Sequence, residues 1–132
     1  MENTLSYIPE ILILLFIAIV FLQSGFDKIL DWKGNIAWLK SHFEKTFLGG
    51  MVPLMVGIVM IVEVLAGFLA LAGIFTLIVM NDQTLALYAM VLAAATLLML
   101  LFGQRIAKDY PGAFTITGYF MVVVFGIYLL TV

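Results

Sequence analysis

Glu63 is the residue of this sequence that packing alone explains least well. It lies about twelve positions into the second apolar run, so a helix places it roughly 15–18 Å below the membrane surface, near the bilayer centre. An acid at that depth costs roughly 2.5–3.5 kcal/mol on insertion scales, and such residues usually face the bundle interior. Two interpretations are open. Glu63 is either a neutral structural acid hydrogen bonded to Gln23, Thr96 or Tyr119, or a residue that exchanges protons or binds a ligand. The further candidates for binding a ligand or a proton are Gln23, Lys28, Thr96 and Tyr119.

A polar cluster ends the first apolar run, and it consists of Gln23, Ser24, Asp27 and Lys28. We expect Lys28 to bind a ligand or a proton, or to pair with Asp27, Asp31 or Asp109. Most interfacial ion pairs of the latter kind are solvated and contribute little to stability.

A second polar cluster ends the third apolar run, and it consists of Gln104, Arg105, Lys108, Asp109 and Tyr110. Both clusters fall on the same side of the membrane. Four of these residues, Asp27, Gln104, Arg105 and Asp109, are therefore predicted to form a cytoplasmic mouth beneath Glu63. Anchoring at the lipid headgroups explains the basic residues and Tyr110 equally well.

The residue inventory excludes several kinds of site. The chain has no cysteine and a single histidine, His42, which excludes thiol relays, iron–sulfur clusters and three-histidine metal sites. Six scattered basic residues and a net charge of −2 do not fit nucleic-acid binding. We predict no catalytic residues, no metal and no cofactor held by this chain alone, and we do not expect a self-contained enzyme. A buried ligand would be mostly apolar, such as a quinone or a lipid tail.

Composition predicts the elements that position these residues. Hydrophobic residues make up 65% of the 132 residues and charged residues 11%, which suits membrane spans better than a soluble core. Four apolar runs predict spans at about residues 8–26, 52–75, 84–104 and 112–131, in one membrane domain over residues 1–132. The fold class is therefore an all-α, integral membrane four-helix bundle.

The second span is unusual because its apolar residues continue to Met80, which is too long for a simple crossing. We expect a strong tilt or a break near Gly73. Small residues recur at helical spacing in this span and in the third, and they should form the packing faces of the two helices. They are Ala66, Gly67, Ala70 and Gly73 in the second span, and Ala86, Ala89, Ala93, Thr96 and Gly103 in the third.

The long connection between the first two spans predicts an interfacial amphipathic helix over about residues 35–46. Ile36, Leu39, Phe43 and Phe47 share one face of it, and Trp32 and Trp38 suit headgroup depth. The helix is either a membrane-surface anchor or a lid over a lateral opening into the bundle.

All six Lys and Arg residues lie between spans one and two or just after span three. The positive-inside bias places both basic segments in the cytoplasm, and so both termini outside it. The prediction is a multi-pass protein of a bacterial cytoplasmic membrane.

Three segments resemble the DoxX family of small membrane proteins, within the wider group that includes the MauE type. They are FLQSGFDKIL with Gly25 and Lys28, the series Glu63-x3-Gly67-x5-Gly73, and GQRIAKDYPGA. The resemblance implies a four-helix bundle in a bacterial cytoplasmic membrane. Some relatives are subunits of a thiosulfate:quinone oxidoreductase, others belong to redox-stress complexes, and a vertebrate branch assists receptor assembly. Thiol-linked relatives rely on cysteines that this chain lacks.

Three functions are compatible with these observations. The first is a non-catalytic or quinone-proximal subunit of a membrane oxidoreductase, whose cofactor another chain carries. The second is a small proton-coupled transporter that uses Glu63, and the third is an assembly or structural subunit. The expected partners are the lipid bilayer and either other membrane-protein subunits or a second copy of the chain.

Overall fold

The computed structural model describes residues 6–46 and 49–132, and it confirms the all-α prediction: no strand occurs in these two ranges. The helices are α1 (Ile8–Leu30), α2 (Trp32–Phe43), α3 (Val52–Val79), α4 (Thr84–Ile106) and α5 (Tyr110–Thr131). A short 3₁₀ turn, Gly49–Met51, precedes α3.

Four of these helices, α1, α3, α4 and α5, are long and apolar enough to cross a membrane. Their outward faces carry large apolar side chains, and Leu12, Ile61 and Phe114 are each more than half exposed. Water would not tolerate so much exposed apolar surface on a single small domain, whereas lipid covers it. The chain is a multi-pass membrane protein.

Several helices extend beyond their predicted ends. α1 ends at Leu30 rather than near residue 26, α3 at Val79 rather than near 75, and α5 begins at Tyr110 rather than near 112. Prolines occupy the first turns of α1, α3 and α5, where a missing N–H removes no helical hydrogen bond. The longer helices therefore include polar residues near their ends, and the helical backbone fixes the direction of those side chains.

Of the two alternatives for the second span, a break near Gly73 is excluded, because α3 is continuous over 28 residues. At 1.5 Å per residue it is about 42 Å long, so it exceeds a hydrocarbon core of roughly 30 Å and must tilt or protrude. Gly73 instead serves close packing: a Cβ there would lie 2.7 Å from Cα of Ala86 on α4. Small residues let the two backbones approach.

The four long helices form a ring in which α3 packs between α1 and α4, and α5 packs against α4 and more lightly against α1. The predicted small residues of α3 serve two neighbours. Gly67 faces Leu22 of α1, whereas Gly73 faces α4. On α4, four of the predicted residues are buried, namely Ala86, Ala89, Ala93 and Thr96.

The amphipathic helix α2 begins three residues earlier than predicted, only one residue after α1. Asp31 alone separates the two helices, and its carbonyl accepts a hydrogen bond from the Asn35 amide at 2.9 Å. Phe43 is buried with Val52 and Val56, and Leu39 packs against this cluster, so α2 docks on the start of α3. Phe47, the last residue of the predicted apolar face, lies outside the described residues.

The two ends of the bundle contain different segments of the chain. The basic end comprises the end of α1, all of α2, the start of α3, the end of α4 and the start of α5. The opposite end holds the connection between α3 and α4.

Candidate functional site

The packing of α1 on α3 brings Lys28 and Glu63 to the same level of the bundle. A Cβ at Gly25 would meet the Val64 side chain, and one at Gly67 would meet Leu22, so the two helices run antiparallel in close contact. Helical side chains tilt toward the N-terminus of their own helix. α1 runs toward the basic end and α3 away from it, so Lys28 leans into the bundle and Glu63 leans toward the basic end.

The two side chains form an ion pair. Nζ of Lys28 lies 2.8 Å from Oε1 of Glu63, whose side chain is 2% exposed, compared with 16% for Lys28. The described residues form no hydrogen bond to the buried Oε1 of Glu63, so its contact with Lys28 is an ion pair. Lys28 also donates a hydrogen bond of 2.7 Å to Oγ of Ser24.

The ion pair corrects two predictions. Lys28 was expected to pair with Asp27, Asp31 or Asp109, but its side chain turns away from the connection and reaches Glu63. Thr96 was a predicted partner of Glu63, but its hydroxyl donates to the Leu92 carbonyl at 2.7 Å. A threonine in a helix has this backbone acceptor within reach one turn back.

A polar cavity of about 300 Å³ adjoins Glu63. Half of its ten lining residues are polar: Gln23, Ser24 and Asp27 of α1, Glu63 of α3 and Tyr119 of α5. The structure therefore brings together Glu63, Gln23 and Tyr119, three of the predicted site residues. Apolar residues complete the wall: Val20, Phe21, Leu97, Leu100 and Ile116.

An apolar cavity of about 650 Å³ lies beneath α2, between α3 and α4. Its wall includes Trp38, Leu39 and Phe43 of α2, and Ile58 and Phe102, whose outward exposure opens the cavity toward the lipid. Four polar side chains also line it: Lys28, Asn35, Gln104 and Asp109. The cavity thus combines a mostly apolar wall with a few polar groups, as ligand sites commonly do.

The residues of the predicted cytoplasmic mouth do not line one common cavity. Asp27 lines the polar cavity, whereas Gln104 and Asp109 line the apolar cavity. Arg105 lines neither, since its guanidinium lies 4.9 Å from the centre of the Tyr110 ring. Lys28 lines the apolar cavity and contacts Glu63, so the ion pair stands between the two cavities.

Sequence reasoning missed the Lys28–Glu63 pair and the residues that line the cavity beneath α2, although one of its two alternatives placed this helix over a lateral opening into the bundle. One signal was available for the pair, since Gly25 and Gly67 mark a close approach of α1 to α3 beside both charges. No sequence signal located the cavity beneath α2, because its wall consists of ordinary apolar residues from three helices.

The comparisons add no relative to this description: no family model, no curated protein and no solved structure matches the chain.

Proposed function

We propose that this chain is a DoxX-like membrane protein that binds a quinone in the apolar cavity, as a quinone-proximal and non-catalytic subunit of a membrane oxidoreductase. The observation that carries the proposal is the cavity itself. Its volume of about 650 Å³, its apolar wall and its opening toward the lipid suit a hydrophobic molecule that arrives through the bilayer.

The polar side chains of the apolar cavity suit the headgroup of a quinone. A quinone carries two carbonyl oxygens, which accept hydrogen bonds, on an otherwise apolar body. The Lys28 ammonium and the Gln104 amide can each donate such a bond from the cavity wall. Oε1 of Gln104 is buried without a hydrogen bond, and as an acceptor it suits the O–H group of the reduced quinol rather than the carbonyl of the quinone.

The role of a subunit follows from the residue inventory. With no cysteine and one histidine, the chain offers few ligands for a metal or iron–sulfur redox centre. A second chain would then carry the cofactor that exchanges electrons with the quinone. This chain would hold the quinone headgroup close to that partner.

The proposed orientation places the basic end in the cytoplasm of a bacterial cell. All six Lys and Arg residues belong to that end, and the positive-inside bias assigns such segments to the cytoplasm. Both ends of the sequence then lie on the outer side of the cytoplasmic membrane.

A transporter for a cationic substrate is the weaker candidate. Glu63 is the carboxylate that such a substrate would need, and Lys28 already places an ammonium 2.8 Å from its Oε1. The buried site is therefore neutralised from within the chain.

Quenching of tryptophan fluorescence tests the proposed ligand site directly. Trp38 lines the apolar cavity, so a short-chain benzoquinone added to the protein in lipid nanodiscs should quench its emission with a saturable dependence on concentration. The variant Gly103→Leu fills part of the cavity and should weaken binding at least tenfold, about 1.4 kcal/mol. The matched control is Gly118→Leu on α5, where open space surrounds the glycine.

Linear quenching that is equal in both variants would show collisions with dissolved quinone rather than a site. The subunit role needs a separate measurement, namely purification in a mild detergent. It predicts a co-purifying chain with the absorbance of a bound redox cofactor, whereas a homogeneous preparation of this chain alone would contradict it.

A further inference from the structure

We infer that Glu63 is a proton-exchange site that is reached from the basic end of the bundle through the polar cavity. The inference goes beyond the proposed quinone site, because it concerns a different cavity and requires no ligand in the apolar one. It depends on three features of the structure: a buried carboxylate atom with no hydrogen bond, a polar route to it, and a counter-ion with a second partner.

The first feature is the state of the carboxylate. Glu63 is 1% exposed, and its Oε1 has Lys28 as an electrostatic neighbour but no hydrogen-bond donor. Buried polar atoms in proteins are nearly always hydrogen bonded, so an atom left without a donor calls for an explanation. A water molecule in the polar cavity can donate to Oε1 and supply the missing interaction, and it is also the carrier that brings a proton to the carboxylate.

The second feature is the polar cavity. Gln23, Ser24 and Asp27 share one face of α1, because residues three and four apart are neighbours on a helix. This face leads from the end of α1 to Glu63, and Tyr119 of α5 lines the cavity as well. A cavity of about 300 Å³ has room for several water molecules, each of which needs two to four polar partners.

The third feature is that Lys28 does not depend on Glu63 alone. Its ammonium also donates to Oγ of Ser24 at 2.7 Å, and its side chain borders the apolar cavity. When Glu63 takes a proton, Lys28 keeps this hydrogen bond and its other N–H groups become available toward the apolar cavity. In this step hydronium in the polar cavity donates its proton to the Glu63 carboxylate, an O–H bond forms, and water remains.

The titratable groups that face Glu63 come from two helices. α1 contributes Lys28 and Asp27, and α5 contributes Tyr119. Among the described residues that line the polar cavity, α4 contributes Leu97 and Leu100, neither of which titrates. Asp27 lies one turn nearer the basic end than Gln23, so a pH titration must separate its signal from that of Glu63.

Infrared difference spectroscopy of the ligand-free protein in nanodiscs separates the carboxyl groups. Acidification should produce the carbonyl band of a protonated carboxyl. The band should be lost in Glu63→Gln and kept in Asp27→Asn. The matched control is Glu10→Gln, since among the described residues Glu10 is the other buried carboxyl, 6% exposed, at the far end of α1. An identical band in wild type and Glu63→Gln overturns the inference, and so does the absence of any such band.

A second variant protects the test against misfolding. Glu63→Gln leaves the partly buried Lys28 without its counter-ion, so the double variant Lys28→Met with Glu63→Gln removes both charges together. The band should be lost there as well.

Accessibility is measured with single cysteines, for which the chain provides a background without native cysteine. A membrane-impermeant thiol reagent should label Gln23→Cys from the side of the basic end, and it should not label the core control Ala93→Cys. Labelling of Gln23→Cys from the other side only, or its complete protection, contradicts access through the polar cavity.

Discussion

The two halves of the bundle solve the packing problem differently. Toward the opposite end, small residues let α3 and α4 touch: a Cβ on Gly73 would meet the Ala86 backbone, and Ala70 and Ala89 are fully buried. Toward the basic end, charged and amide side chains enter the bundle, and both cavities described above lie there. Close backbone contact leaves no room for a ligand, so the first half is called the scaffold half, and the second, which holds both cavities, the site half.

The largest expected loss of stability comes from removing one of the two paired charges in the basic half. Lys28→Met leaves Glu63 buried beside no cation, and breaking a buried pair in this way typically costs about 3–5 kcal/mol. The double variant Lys28→Met with Glu63→Gln should recover most of that loss, because neither charge remains. Unfolding of the purified protein in detergent, measured for both single variants and the double variant, gives the coupling energy. Additive losses would show that the pair contributes nothing as a pair.

A smaller effect is expected from a methyl group placed in the scaffold half. Gly73→Ala puts a Cβ 2.7 Å from Cα of Ala86, so the helices must separate, at a cost of roughly 1–3 kcal/mol. Gly118→Ala meets open space, and there the higher helix propensity of alanine should stabilise by roughly 0.5–1 kcal/mol. Thermal unfolding in one detergent compares the two variants. Equal effects would mean that backbone contact at Gly73 does not hold the scaffold together.

A polar residue of the apolar cavity should affect function more than stability. Oε1 of Gln104 is buried without a hydrogen bond, so Gln104→Leu should change the free energy of unfolding by less than about 1 kcal/mol. The same variant removes a donor from the proposed quinone site and should weaken quenching by the short-chain benzoquinone. Undiminished quinone affinity in a well-folded Gln104→Leu protein would exclude this amide from the site.

The smallest effect on stability is expected in the connection between α3 and α4, at the opposite end of the bundle. Asp82 accepts hydrogen bonds from the Thr84 backbone N–H at 3.0 Å and from its hydroxyl at 2.8 Å, and these bonds lower the pKa of Asp82 below its ordinary value of 3.8. A lowered pKa in the folded state stabilises the protein at higher pH, and this contribution is lost as the pH falls through the folded value. The melting temperatures of wild type and Asp82→Ala should therefore converge on acidification below about pH 4. A difference that persists at low pH would assign the effect to packing.

The scaffold half was largely predictable from the sequence, and the site half was not. Period and composition identify the four long helices, and the spacing of Ala86, Ala89 and Ala93 identifies a buried face of α4. Such signals are local, since they depend on residues within one helix. For α3 the sequence left both a tilted, continuous helix and a break near Gly73 open, because a glycine that ends a helix and one that admits a neighbour look alike in a sequence.

Contacts between helices account for what the sequence did not reveal at the site. Glu63 was singled out by its depth, but its partner depends on the register of α1 against α3, which no single segment encodes. Lys28 was assigned to nearby aspartates because they are close in sequence or on the same side of the membrane. Instead, the direction in which α1 points the Lys28 side chain determines its ion-pair partner.

Photo-crosslinking with an azido-substituted benzoquinone tests most directly the claim that the basic half is a ligand site. The protein in nanodiscs would be irradiated at a sub-stoichiometric concentration of the probe, digested, and mapped by mass spectrometry. We expect labels on the wall of the apolar cavity, at residues such as Trp38, Phe43 and Phe102. Unlabelled quinone should compete with the probe and reduce this labelling. Labels spread over the lipid-facing residues of α5, such as Phe114 and Met121, and insensitive to the competitor would contradict it.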